Sequence, residues 1–236
     1  MAGAGAGTSN GSLADPPMPS MAEFTQQMKE DAENQQCLVP IVAKLLAKLV
    51  EENDKLPADK EITVFHAQKA PAVNVLDYAE RIAKYSSCSY CCFVVGVIYM
   101  DRFIRQQRAL QRDFRVNSLN VHRLMLSSIM VAAKFLDDFY YSNEFWAKIG
   151  GVPNSELNTL ELEFLFLTNF ELHVKRETYD GYREELMAWN TGATSLSQTK
   201  SLVYEVRALS VTDRSMQDGA AVEAMTEDKG DAMIID

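Results

Sequence analysis

CCFVVGVIYM, residues 91–100, decides the fold. The run is apolar on every face, so it belongs at the centre of a packed structure and not on its surface. A buried strand and a buried helix both fit ten such residues. The apolar pattern continues through Phe103 and Ile104, and a span of about Ser89 to Gln107 is helical in length. Gly96 within it allows a neighbouring helix to approach closely. The run falls short of the roughly 20 apolar residues needed to cross a bilayer.

Amphipathic helices flank this segment on both sides. Val39, Val42, Leu45, Leu46 and Leu49 recur at three- and four-residue steps, which predicts a helix with Pro40 in its first turn and an end at Asn53 to Pro57. Asn74 is placed to cap a second helix, whose inward residues are Leu76, Ala79, Ile82 and Ala83, with Asp77 in the first turn. Asn120 is placed to cap another, Val121 to about Phe139. Its inward set is Val121, Leu124, Met125, Ile129, Ala132, Phe135, Leu136 and Phe139.

A short helix over Glu144 to Ile149 is stopped by Gly150 and Gly151. After Pro153, Asn154 or Ser155 caps a helix with the stripe Leu157, Leu160, Phe164 and Leu167. Thr178 caps Tyr179 to Trp189, and Ser197 to Ala208 forms a weaker helix. Alternating strand patterns are scarce, so the expectation is an all-helical bundle wrapped around the most apolar helix.

Composition narrows the function. The chain has 236 residues, with 23 basic and 33 acidic residues and a net charge of −10, which opposes general nucleic-acid binding. Residues 1–22 are rich in Gly, Ala, Ser and Pro, and an unstructured arm is expected over 1–37. An acidic flexible tail is expected over 208–236. No basic segment followed by an apolar block opens the chain, so secretion is not expected; nucleus, cytoplasm or both are. No membrane association is expected.

Chemistry-bearing motifs are few. Cys88, Cys91 and Cys92 give a CxxC spacing, but no second pair completes a four-ligand zinc site, and His66, His122 and His173 stand far apart. Buried helix thiols are the better reading, and neither metal nor cofactor is expected. No phosphate-cradling loop, nucleophile elbow or HExxH occurs. Asp137–Asp138 and Glu184–Glu185 are adjacent on helices and so diverge.

One combination stands out. VAAKFLDDFYY sets Lys134 beside Val131 and Phe135, and ELNTLELEFLFLTNFEL sets Glu161 ahead of Leu165, Phe170 and Leu172. A cation and an anion set in apolar surroundings suit an interface: charged hydrogen bonds fix register and an apolar pocket supplies affinity. A different run, RFIRQQRALQRDFR, spaces Arg102, Arg105, Arg108, Arg112 and Arg115. Its plain reading is a solvated helix end and loop. The sharper reading makes Arg105, Arg108, Arg112 and Arg115 an anion or substrate patch.

The strings LAKLVEENDKL, VFHAQKAP, VLDYAERIAKYSSCS, CCFVVGVIYMDRFI, NVHRLMLSSIMVAAKFLDD and ELNTLELEFLF occur in series from about Leu38 to Leu172. In order and spacing they resemble the P-type cyclins, the family of the phosphate-signalling cyclins of yeast and the U-type cyclins of plants. The resemblance implies one five-helix cyclin box with an added N-terminal helix, over 38–175, and the helix patterns add C-terminal helices over 176–207. It implies a regulatory subunit, not an enzyme, whose partner is a cyclin-dependent kinase catalytic subunit.

By that resemblance Lys134 and Glu161 bond kinase backbone, while Val131, Phe135, Leu165 and Leu172 form a pocket for a side chain of the kinase's mobile helix. Phe170 matches an aromatic core position beneath it. The chain also departs from mitotic-type cyclins. PAVNVLDYAERI lacks the Arg that supports the Asp matching Asp101, which leaves Arg81 as a candidate partner. Tyr78 replaces the Trp of the surface that recruits Arg-x-Leu motifs, which argues against recruitment of that kind.

Cell-cycle control in G1 is the expected process, with nutrient or phosphate signalling second. A cyclin-box scaffold without a kinase is the alternative function. A helical enzyme ranks below both, for want of a polar constellation.

Overall fold

The computed structural model describes residues 36–57 and 61–194. The expected arm before residue 36, the helix over Ser197 to Ala208 and the acidic tail lie outside the described residues. Among those described, the regular structure is entirely helical. The helices are α1 (Leu38–Asn53), α2 (Val75–Ser86), α3 (Cys91–Ala109), α4 (Val121–Leu136), α5 (Asn143–Gly150), α6 (Asn154–Leu167) and α7 (Arg176–Asn190). Helices α2 to α6 follow the order of a five-helix box, with α1 before it and α7 after.

The segment that decides the fold is the central helix. From Cys92 to Asp101 every residue of α3 is buried, and Phe103, Ile104 and Gln107 continue the buried surface. Its closest companion is α4, and α1, α6 and α7 also pack on it. Gly96 lies at the α3–α4 contact: a Cβ there would come 3.1 Å from Ile129 Cγ1 and 3.3 Å from Ser128 Oγ. Phe103 closes the far end of the core. Its ring is 5.0 Å from Phe65 and 5.2 Å from Phe114, both edge-on, and stacks on Phe164 of α6 at 5.5 Å. Phe65 comes from the α1–α2 connection, so that loop is pinned into the core and not merely draped over it.

The caps follow local chemistry, with three differences from the sequence reading. Asn74 accepts from the Asp77 amide at 2.8 Å and donates to its carboxylate at 2.7 Å, which starts α2 as expected. Ser142 accepts from Phe145 N to start α5, and Gly151 ends it at φ +69°. Asn120 does not cap α4: its side chain accepts from Asn117 N and donates to Arg115 O, which closes the preceding turn instead. Asn154 and Ser155 likewise make no cap bond, because α6 begins directly after Pro153. Helix α7 starts at Arg176, ahead of Thr178.

Helix α4 also ends earlier than its apolar pattern. Asp137 turns to extended backbone, which takes Phe139 out of the helix, and Phe135 and Leu136 in the last turn already face solvent instead of the core.

Gly150 gives a direct test of packing. A Cβ at Gly150 would sit 2.2 Å from Leu126 Cδ2, with Cδ1 and Cγ at 3.1 and 3.2 Å. Leu126 is fully buried and has little room to turn away. Gly150→Ala should therefore destabilise the chain by about 1–3 kcal/mol, as overpacking does. Urea denaturation checks this, and a midpoint equal to the parent's would refute it.

Candidate partner-docking site

Lys134 stands in the last turn of α4, Glu161 in the middle of α6 and Asn143 at the start of α5. The packing of these three helices brings the side chains together. Lys134 Nζ donates to Glu161 Oε1 at 2.6 Å and also to Asn143 Oδ1. Asn143 Nδ2 donates to Glu161 Oε2 at 2.6 Å and to Asn158 Oδ1 at 2.8 Å. The amide therefore reads both charges at once: its oxygen serves the cation and its nitrogen the anion. The Lys134 and Glu161 side chains keep 24% and 17% of their surface exposed, so the pair faces one side and is reachable from solvent.

Exposed apolar side chains stand on the same elements and the segments beside them. Phe135, Leu136, Phe139, Tyr140 and Tyr141 leave the end of α4 and the following segment, and Leu162 and Phe166 stand on the outer side of α6. Phe139 is 94% exposed. Large aromatic side chains this open make the end of α4 and the outer side of α6 a candidate interaction surface. Val131 is buried beneath, and Leu165 and Leu172 are half-buried at its edge.

Phe170 is the exception to the expected set. It is 55% exposed and lies edge-on to Phe166 at 5.4 Å, on the surface and not beneath it. The cause is the turn after α6. Asn169 and Phe170 take φ of +51° and +55°, a left-handed pair that reverses the chain and throws the ring outward. That turn is gripped from the central helix. Arg102 donates to the carbonyls of Glu171 and His173, and Tyr99 Oη donates to Leu172 O at 2.6 Å. Burial holds the Tyr99 phenol well above its ordinary pKa.

Asp101 has different partners from the one expected. Its carboxylate pairs with Arg105 one turn on, and Tyr182 of α7 donates to it at 2.6 Å. Arg81 instead donates to Lys148 O at 3.0 Å. Burial, then the negative charge of Asp101, keeps the Tyr182 phenol protonated far above its usual range.

Arginines of the expected patch have acidic neighbours. Arg105 serves Asp101, Arg112 lies 3.8 Å from Glu61, and Arg108 is half-buried near the end of α3. Arg115 is buried and pairs with Asp113 at 3.0 Å. Arg105 and Arg112 are the more exposed of the four, and Arg108 and Arg115 the less.

Tyr78 is buried, donates to Gly150 O at 3.0 Å and lies edge-on to His122 at 4.9 Å. It seals the floor of a groove of about 770 Å³ that Arg123, Glu156 and Arg81 also line. His122 there bonds Val73 O through Nε2 at 2.8 Å, so Nε2 carries the proton, and Nδ1 is buried. Burial lowers the His122 pKa below its ordinary 6.5, with adjacent Arg123 adding repulsion.

A depressed histidine pKa means the unfolded chain takes up the proton first as pH falls, so stability is full above pH 6.5 and declines below it. Thermal denaturation between about pH 7.5 and 5.5 should show a larger loss for the parent than for His122→Gln. Parallel curves would refute the assignment.

Comparison with known proteins identifies the family. The model of the family described as Cyclin matches residues 18–172. Cyclin-U4-1 of Arabidopsis thaliana is 44% identical over 149 residues, covering 61% of this chain and 72% of that protein. Cyclin-U4-2 of Arabidopsis thaliana is 41% identical over 194 residues, covering 79% and 88%. Cyclin-P3-1 of Oryza sativa subsp. japonica is 40% identical over 162 residues, covering 67% and 66%. Cyclins are regulatory proteins and not enzymes. The chain belongs to the cyclin family and, within it, to the P/U-type plant cyclins.

Proposed function

We propose that this cyclin binds and activates a cyclin-dependent protein kinase through the face that carries Lys134 and Glu161. The single observation behind this reading is the partly exposed Lys134–Asn143–Glu161 network, with exposed Phe135 next to Lys134 in the chain. The charged pair offers hydrogen bonds to a partner's backbone, and Phe135, Leu165 and Leu172 offer an apolar seat for a side chain of the kinase's mobile helix.

Held inward, that helix places its glutamate against the ATP-orienting lysine of the kinase. Active geometry becomes the favoured population because only that state completes the interface. Residues 38–175 form the docking unit, and α7 is appended to it. Control of cell division, in G1, is the process we assign.

Affinity purification of the full chain, followed by identification of the co-purified kinase and assay of its activity with and without the cyclin, tests the proposal. A cyclin-dependent kinase that gains activity is the expected result. Recovery of no kinase by the folded chain would overturn it.

A further inference from the structure

The cap of α5 is Ser142 and not Asn143: the serine hydroxyl accepts from Phe145 N at 3.4 Å. The Asn143 side chain is thereby spared from the helix end and reaches across to α4 and α6. Both of its amide hydrogens are committed, one to Glu161 Oε2 at 2.6 Å and one to Asn158 Oδ1 at 2.8 Å. Its oxygen accepts from Lys134 Nζ. Turned over, the amide would press its NH2 on the ammonium and its oxygen on the carboxylate, so the two charges admit one orientation. Asn158 stands one turn before Glu161 on α6 and holds the amide from the same helix.

We propose that Asn143 is a positioning residue, which sets the backbone groups of a partner that the Lys134–Glu161 pair can satisfy. This rests on the docking role proposed above. A partly wetted ion pair alone is weakly held, and both of its long side chains can swing. With Asn143 in place, each carboxylate oxygen of Glu161 carries one bond, Oε1 from Lys134 at 2.6 Å and Oε2 from Asn143. Lys134 spends two of its three ammonium hydrogens on Glu161 and Asn143.

What is left for a partner is one N–H and a lone pair on each of two oxygens, at fixed spacing. That inventory suits a stretch of backbone offering one carbonyl and two amides. A charged partner side chain would meet both signs at once and gain little from either. Without Asn143 the two side chains must be ordered when the partner arrives, and that cost is taken from the affinity.

Two variants of the full chain test this. Asn143→Ala removes the tether and leaves the Ser142 cap. Asn143→Asp keeps the shape but turns a donor into a negative oxygen on α5, facing Glu161 from α6 and Lys134 from α4. At neutral pH the two carboxylates repel. As pH falls they take up one proton between them, and the protonated oxygen donates where the amide did.

Calorimetry at about pH 7.5 and 5.5 measures affinity for the kinase that co-purifies with the parent chain. Asn143→Ala should bind roughly ten- to a hundredfold more weakly than the parent at both. Asn143→Asp should bind as weakly at the higher pH and regain most of the parent's affinity at the lower. A deficit of Asn143→Asp that is the same at both pH values would overturn the proposal, since a residue that merely fastens three helices together behaves that way. Should Asn143→Ala fail to fold, this pH comparison decides alone. Parent affinity in Asn143→Ala, with Lys134→Ala impaired, would overturn the positioning role and leave the docking role standing. Parent affinity in Lys134→Ala and Glu161→Ala as well would overturn both.

Discussion

Lys134→Ala and Glu161→Ala should each abolish capture of the partner kinase while leaving a folded chain. In the free chain the pair is still wetted at its edge, so its internal attraction is weak and its loss costs little stability. Once a partner covers the face, the same charges lie in a dry interface, and truncating one leaves the other and its backbone mates unsatisfied. The cost there is about 2–5 kcal/mol. That converts to roughly 30- to 4,000-fold weaker binding.

The exchanged variant Lys134→Glu with Glu161→Lys separates a docking role from a structural one. It restores an internal ion pair but presents each charge to the wrong partner group. Binding lost in both single variants and not regained in the exchange is the expected pattern. Calorimetric affinities equal to the parent's in all three, with folding intact, would refute the docking assignment.

Phe103→Ala should produce the largest loss of stability, about 3–5 kcal/mol. The ring is fully buried and touches three others from separate parts of the chain, so no single neighbour can collapse into the space left behind. Against a typical domain stability of about 5–15 kcal/mol, this is a large share. Phe164, its stacking partner, lies three residues after Glu161 on α6, so kinase binding should weaken as well. Phe103→Leu keeps most of the volume and should recover much of both. Equilibrium unfolding in urea measures the difference, and a loss below about 1 kcal/mol for the alanine variant would contradict it.

Much of this was legible before any coordinates. The all-apolar run 91–100 could only be central, and its length together with Phe103 and Ile104 chose helix over strand. Asn74 read correctly because its cap is a contact three residues away. Asn120 did not, because its side chain serves a turn whose shape no periodicity announces. Phe135, Leu136 and Phe139 continue the inward pattern of α4, yet they face solvent. Hydrophobic spacing marks what avoids water, without distinguishing a core from a face awaiting a partner.

Asn143 escaped notice for a related reason: an asparagine at the first turn of a helix looks like punctuation. The signal that could have found it was its place between the segments carrying Lys134 and Glu161. Half of the Asp101 pairing was readable, since Arg105 stands one turn along. The other half, Tyr182, comes from a helix 81 residues further on, and only the packing of α7 on α3 reveals it.

The bare rings of Phe139, Phe166 and Phe170 give the lone chain an adhesive flank. Under the proposed function such a subunit is incomplete until a kinase covers these rings, and the uncovered chain is expected to be the more prone to association and proteolysis. Its steady-state level is then expected to follow how much kinase is available to shield those rings, so the ratio of the two becomes a quantity the cell can read.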